Sequence, residues 1–412
     1  YIQIRIKQYE IRIFSLCKVE LSNSVNSGNT YSNTVVKLMR TLDFEDDNSY
    51  RGDKNSQKLK QQLTNKDGSG FTPIGVSYDL YFSGIFDGQE NEIQNLYINN
   101  SSYEFAGLFG YVNGAKIKNL GVTGEVSGPA DVGGIVGRAY MFSSIDNCYN
   151  IGEINGMGAG GIVGYLSYIS TISNSYNTGK VSSSNGYAGG IAGQEMIGGM
   201  INNSYNTGEI NGIYAGGVIG FAQSTIINGS YNTGEVSGMG AGGIVGALSA
   251  GDISNSYNIG QVSSNGDEGM AGAIVAATEQ ATINNCYYPD TLEIIGQTIN
   301  SEGTELSEAY MKSEMFLKDF SIEYLMDTEN INNGYPIFGK EIEKTEYINY
   351  IEDLVDLSIK VNSGNNYSNT TIKLLRTINF EDDSSYKDPT DISYGDLNGD
   401  GKVESIKEEL TN

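Results

Sequence analysis

A five-residue phrase recurs through the middle of this chain at nearly constant intervals. It reads CYNIG at Cys148–Gly152, SYNTG at Ser175–Gly179, Ser204–Gly208 and Ser230–Gly234, and SYNIG at Ser256–Gly260. Its tyrosine stands at Tyr149, Tyr176, Tyr205, Tyr231 and Tyr257, and again at Tyr287, in steps of 27, 29, 26, 26 and 30 residues. A Gly-Gly pair before an apolar run keeps the same beat. It reads GGIVG at Gly133, Gly160 and Gly242, GGIAG at Gly189 and GGVIG at Gly216, with GLFGYV from Gly107 and AGAIV from Ala271 as looser copies. Self-similarity at this period means a stacked repeat architecture. One unit cannot bury its own apolar face, so neighbours must stack to make a core.

The kind of repeat follows from the texture of one unit. Its apolar runs are short: Ile162–Leu166, Thr171–Ile172 and the single Val181. Gly, Asn and Ser interrupt them, and the chain holds 54 Gly against 5 Pro in 412 residues. Runs of that length bounded by turn residues read as strands, whereas helical repeats need runs of about ten or more. Two or three strands per ~27 residues fit one coil of a right-handed parallel β-solenoid, with coils ~4.8 Å apart. The fold class is all-β, with Ile135, Ile162, Ile191, Val218 and Ile244 expected inside, one above another.

Stacking explains why the phrase repeats. Asn147, Asn174, Asn203, Asn255 and Asn285 are expected as a ladder at a bend, because Asn tolerates left-handed backbone and stacked amides can bond along the axis. Small residues follow, at Cys148, Ser175, Ser204, Ser230, Ser256 and Cys286, then the stacked tyrosines. Gly152, Gly179, Gly208, Gly234 and Gly260 are read as turns needing positive φ. Ile154, Val181, Ile210, Val236 and Val262 then re-enter the core. The column Glu153, Lys180, Glu209, Glu235 and Gln261 is read as a solvated face.

GLFGYV and GGIVG, each followed by I-x-N-C/S-Y-N-x-G-x-V, resemble the GLUG motif of bacterial surface proteins. Phe71–Gly75, Phe82–Gly88, Ile93–Leu96 and Ile117–Gly121 are similar to the usual lead-in to such arrays, so the resemblance spans roughly Val19 to Gly339. It implies large secreted adhesin-like proteins, or the non-catalytic regions of some secreted peptidases. It brings no catalytic residues.

A longer period lies above the short one. Val25–Asn33 returns as Val361–Asn369, Lys37-Leu38 as Lys373-Leu374 and Phe44–Asp47 as Phe380–Asp383, each 336 residues on. The chain reads as one array plus the opening of a second. We divide it into an N-terminal strand and linker (1–18), a lead-in with the first coils (19–106) and a GLUG-like solenoid (107–301). A partly helical C-terminal cap and linker (302–345) and the start of a second array (346–412) follow. In the cap, Leu306, Tyr310, Met311, Met315, Phe316 and Phe320 have roughly helical spacing. A small separate binding module is the alternative for that segment. Residues 1–16 alternate as a strand does and lack a signal-peptide apolar core; no run reaches membrane-span length.

With 25 basic and 50 acidic residues, the net charge is −25, which argues against a nucleic-acid partner. Cys148 and Cys286 occupy equivalent positions five coils apart, about 24 Å by the coil rise, so no disulfide joins them and both are expected as buried thiols. There is no His, which removes Ser-His-Asp, Cys-His and His-metal chemistry. Carboxylate chemistry remains. Glu195 interrupts an otherwise apolar column (Ala139, Leu166, Ala222, Leu248), Asp267-Glu268 lengthen a turn and Glu279 lies near the last coil. These do not form an acid–base pair, and loop variation accounts for them, so the chain reads as not an enzyme.

Two short motifs remain. Asp396, Asn398, Asp400 and Glu404 with Gly401 match the front of a calcium loop; the Lys402 carbonyl and Glu408 complete a set for Ca²⁺, position 12 being Lys407. An acidic turn without an ion is the alternative. Arg51-Gly-Asp53 is a tripeptide that can engage integrins when exposed, but its counterpart in the second array is Lys387-Asp388, and a chance tripeptide is the plainer reading. The functional expectation is a non-enzymatic, extracellular or cell-surface bacterial stalk, secreted or wall-attached. Exposed Tyr, Asn and Thr columns would meet a host or environmental glycan or protein. The alternative is the non-catalytic repeat region of a large secreted peptidase or glycan-active enzyme. An ice-binding surface would need more Thr than the column Ile151, Thr178, Thr207, Thr233 and Ile259 supplies.

Overall fold

The computed structural model describes residues 9–13, 17–44, 70–99, 101–266, 269–298, 303–320, 324–338, 346–348 and 372–374. The chain forms two compact units. The first runs to Ile322 and includes Met326–Pro336; the second holds Glu323–Leu325 and Ile337 onward.

The first unit is a parallel β-solenoid of about nine coils. Register follows the repeat residue for residue. Tyr149, Tyr176, Tyr205, Tyr231, Tyr257 and Tyr287 pair in succession. So do Ile154, Val181, Ile210, Val236 and Val262, and all five are buried. Ile135, Ile162, Ile191, Val218 and Ile244 stack inside as expected, all fully buried and linked coil to coil by backbone hydrogen bonds of 2.9–3.2 Å.

The Gly-Gly phrase is a device for close backbone approach. A Cβ on Gly160 would lie 2.0 Å from the Val163 carbonyl oxygen, and one on Gly161 would lie 2.4 Å from Cγ of Asn177. Both are closer than any real contact, so the strand carrying the pair packs against its neighbours as bare backbone. The glycines of the YNTG phrase correct the sequence reading. Gly152, Gly179, Gly208, Gly234 and Gly260 are not in the positive-φ region. They are glycine because each successive coil leaves no room: a Cβ on Gly208 would sit 2.0 Å from the carbonyl oxygen of Gly179. The left-handed residues are the expected asparagines, Asn147, Asn174, Asn203, Asn255 and Asn285, at φ 47–51°.

Both ends are covered. A helix over Cys17–Val25, which the sequence reading did not foresee, buries Leu21 and Val25. Ser22 donates to the Thr72 carbonyl (2.9 Å) and Asn26 accepts from the Gly75 N–H (2.9 Å), tying this end to the lead-in. At the far end, the strand Thr304–Leu306 adds a parallel rung beside Tyr287–Pro289. Two short helices follow, Glu308–Met311 and Glu314–Asp319, capped by Ser307 and Ser313. Met311, Phe316 and Phe320 are buried, with the last two edge-on to Tyr287 at 5.2 and 5.3 Å. Met315, placed by its spacing on the same apolar face, is 64% exposed, because the chain breaks into two helices at Ser313 and the register does not carry through.

In the second unit, Tyr324–Leu325 pairs antiparallel with Ile337–Phe338. Glu346–Ile348 pairs parallel with Ile372–Leu374, at nearly the partner spacing that joins Tyr9–Ile13 to Thr34–Leu38.

Candidate binding face

Two ladders run through the YN step of each coil. The rings of Tyr149, Tyr176, Tyr205, Tyr231 and Tyr257 stack at 4.8–5.0 Å and within 5–7° of parallel. Beside them, Asn150, Asn177, Asn206, Asn232 and Asn258 are wholly buried, each amide bonding its successor at 2.8 Å. The sequence reading placed the amide ladder only on the Asn147 column, where bonds are longer and fewer: 3.4 Å from Asn203 to Asn174 and 3.3 Å from Asn285 to Asn255. Nor are these columns the exposed surface it expected. Tyr149, Tyr176 and Tyr205 are half-buried, and Tyr231 and Tyr257 are buried. The Tyr257 hydroxyl donates to the Pro336 carbonyl. Ile151, Thr178 and Thr207 are exposed, as are Glu153, Lys180, Glu209 and Glu235. Lys180 bridges to Glu209 at 2.7 Å, which holds that carboxyl below its usual range despite the opposing effect of desolvation.

The surface that varies from coil to coil lies elsewhere. The residue after the last Gly of each GGIVG-type run reads Tyr111, Arg138, Tyr165, Gln194, Phe221 and Ala247, and these pair in register. A neighbouring column reads Phe105, Asp131, Gly158, Tyr187 and Tyr214. Arg138 joins them. Its Nε donates to Asp131 Oδ2 (2.6 Å), its second nitrogen pairs with the same oxygen, and its third donates to the Tyr78 hydroxyl (2.6 Å). The guanidinium lies 4.3 Å from the Tyr165 ring centre, 4.7 Å from Phe105 and 5.6 Å from Tyr78, within cation–π range of all three. Gln194 donates to the other Asp131 oxygen at 3.0 Å. Asp131 is 2% exposed, and burial pushes its carboxyl above the usual range against the pull of Arg138 and Gln194. Tyr187 packs on Phe221 (5.0 Å) and Tyr214 (6.0 Å) further along.

The result is a half-buried aromatic strip with amide and hydroxyl edges and an internally balanced ion pair. Its chemistry is ring stacking and hydrogen bonding. The sequence reading missed it, although one signal was available: the slot after GGIVG changes residue type while the rest of the phrase does not.

The earlier candidates fall elsewhere. Glu195 is wholly buried and accepts from the Gly199 N–H (2.7 Å), the Ser224 N–H (3.1 Å) and the Thr225 hydroxyl (2.6 Å), so it closes a corner of its coil. Glu279 is exposed. Asp267-Glu268, Arg51-Gly-Asp53 and the calcium set Asp396, Asn398, Asp400, Lys402, Glu404 and Glu408 lie outside the described residues. Cys148 and Cys286 are free and buried, and burial pushes the Cys286 thiol up to about 12. Among the described residues no helix is long and apolar enough to cross a membrane.

Comparison with known proteins agrees with the repeat. A family model described as the GLUG motif matches residues 128–155 and 155–182, the two coils that supply Asp131, Arg138 and Tyr165. A crystal structure of a "putative immunoglobulin A1 protease" from Bacteroides ovatus is similar at 22% identity and a TM-score of 0.49, over 81% of this chain and 93% of that one. No curated protein matches the chain.

Proposed function

We propose that this chain is a non-enzymatic, adhesin-like stalk of a secreted or wall-attached bacterial surface protein, and that it binds a glycan or protein through the face around Arg138. The observation that carries this reading is the variable aromatic slot set in an otherwise constant coil. Tyr165, Tyr187, Tyr214 and Phe221 are half-buried, which fixes their rings at low entropic cost while leaving a face to stack on. The Arg138 charge is spent on Asp131, so the strip favours a neutral polyhydroxylated partner over an anionic one, as does the net charge of −25.

The test is binding of the whole chain to arrays of neutral glycans and extracellular proteins. Tyr165→Ala and Tyr187→Ala should each weaken the bound partner about tenfold, the loss of one stacked ring. Affinity unchanged in both variants removes this face from the proposal. Product formation from any glycan or protein substrate would remove the non-enzymatic part.

The same reading keeps Ca²⁺ for Asp396, Asn398, Asp400, Lys402, Glu404 and Glu408, in the weak extracellular range of ~10⁻⁴–10⁻³ M because position 12 lacks a ligand. Calorimetry should show calcium-dependent heat that Asp400→Ala abolishes; heat indifferent to that change rejects the site.

A further inference from the structure

One corner of the solenoid is written in residues that its backbone disfavours. Between the strand ending at Ser167 and the strand beginning at Thr171, the chain turns through left-handed backbone. One coil earlier than the first unusual copy, the corner is one residue shorter and its left-handed position is Gly114, at φ 65°, the residue type such a turn favours. The next three copies read Met141-Phe142 (φ 45° and 58°), Tyr168-Ile169 (50° and 58°) and Ile197-Gly198 (71° and 77°). Left-handed backbone is costly for any side chain and most costly for a β-branched one such as Ile.

These side chains gain little burial in return. Met141 is 41% exposed, Phe142 65%, Tyr168 40%, Ile169 51% and Ile197 48%. Ile226, in the strand that follows the corner one coil further on, is 44% exposed. The Phe142 N–H donates to the Tyr168 carbonyl (3.0 Å) and the Ile169 N–H to the Ile197 carbonyl (3.2 Å), so the rows stand in register. They form one apolar ridge across four successive coils. Residues 139–145, 166–173, 196–202 and 222–228 contain no Asp, Glu, Lys or Arg, and Glu195, at the foot of the third corner, is wholly buried, so the ridge exposes no charge in a chain of net charge −25.

We propose that this ridge is a self-association surface and that its occupant is the same ridge of a second copy of this chain. Three features single out a copy. The corner exposes no charged side chain, since Glu195 is buried beneath it, so two strongly acidic chains can meet there without opposing like charges. Its side chains recur at the coil rise of ~4.8 Å, and a second solenoid presents the same rise, so every row finds a partner. The six side chains expose on the order of 500 Å², so a two-fold pairing buries about 1,000 Å² in total, the lower limit of a specific interface. The dimer is therefore reversible and concentration-dependent. This inference does not rest on the Arg138 face.

Sedimentation velocity on the full chain, from micromolar to sub-millimolar concentration, should show a monomer–dimer equilibrium. The combined variant Phe142→Asn, Ile169→Asn and Ile197→Asn places at the corner the residue that tolerates left-handed backbone. It should keep or raise the melting temperature while weakening dimerisation at least tenfold. Ile226→Lys, at an ordinary strand position, should weaken it likewise and serves if the combined variant folds poorly. A chain that stays monomeric throughout overturns the proposal, as does a dimer that survives both variants. Capture of a monomeric chain by neutral lipid vesicles would assign the ridge to a membrane surface and overturn it too.

Discussion

Replacing Asn206 by Ala is expected to cost about 4 kcal/mol of stability, among the largest effects of a single side chain in the array. Asn206 is wholly buried and sits at the middle of the inner ladder. Its amide donates to the Gly208 carbonyl and to Asn232, both at 2.8 Å, and accepts from the Gly208 N–H (3.2 Å) and from Asn177 (2.8 Å). Truncation leaves four buried polar groups short of a partner, and each such group costs about 1–3 kcal/mol. The site cannot collapse to compensate, because Gly190 already packs its backbone against this amide: a Cβ there would lie 2.4 Å from Asn206 Cγ. Asn206→Asp should be as damaging, since it keeps the acceptors but removes both donors and turns a carboxylate toward the Asn232 carbonyl oxygen. Asn174→Ala, at an exposed left-handed bend, should cost only about 1 kcal/mol. Chemical denaturation measures all three. Hydrogen exchange should also show the array parting near Asn206, because each coil contacts only its neighbours. A loss below about 1 kcal/mol for Asn206→Ala would mean that the ladder is not what holds the coils.

Stability is also expected to fall steeply above pH 10. Burial pushes the phenols of Tyr205 and Tyr231 well above their usual value, as stacked rings out of water resist taking charge. The sign follows from proton binding. Between the unfolded value of about 10 and the higher folded value, the native chain keeps protons that the unfolded chain releases. The stabilisation is whole below pH 10 and is lost as pH rises from there. Tyr231, which is buried, contributes about 1.4 kcal/mol per pH unit over that window, and Tyr205, which is half-buried, adds a smaller share. Tyr149 and Tyr176 are shifted the same way by burial but are half-exposed, and water reduces their share. Denaturation midpoints should be flat below pH 9.5 or so and drop beyond it, with phenolate absorbance from the ladder appearing only as the fold is lost. Phenolate that appears well before unfolding would show that the ladder is open to solvent.

How much of this was legible in the sequence depends on what repetition can encode. Fixed intervals alone determined the coil, the inward column from Ile135 to Ile244, the register of the tyrosines and the left-handed asparagines from Asn147 to Asn285. In a parallel stack each residue faces its own counterpart, so a letter repeated at one period is a contact repeated along one axis. Where one letter serves two needs, the sequence was ambiguous. Glycine permits positive φ and also permits bare-backbone contact, and only the packing of Gly208 against Gly179 decided for contact. Asparagine recurs twice in each coil, and only burial showed that Asn150, not Asn147, heads the continuous inner ladder. The helix over Cys17–Val25 carries no strong apolar face to announce it and is held instead by what it packs on. The aromatic face around Arg138 and the apolar ridge were hidden for the opposite reason. Asp131, Arg138 and Gln194 are 7 and 56 residues apart along the chain, and none repeats. Repetition reports what every coil needs, whereas a site is made of what a few coils do differently. Only the tertiary stack brings those exceptions to one surface.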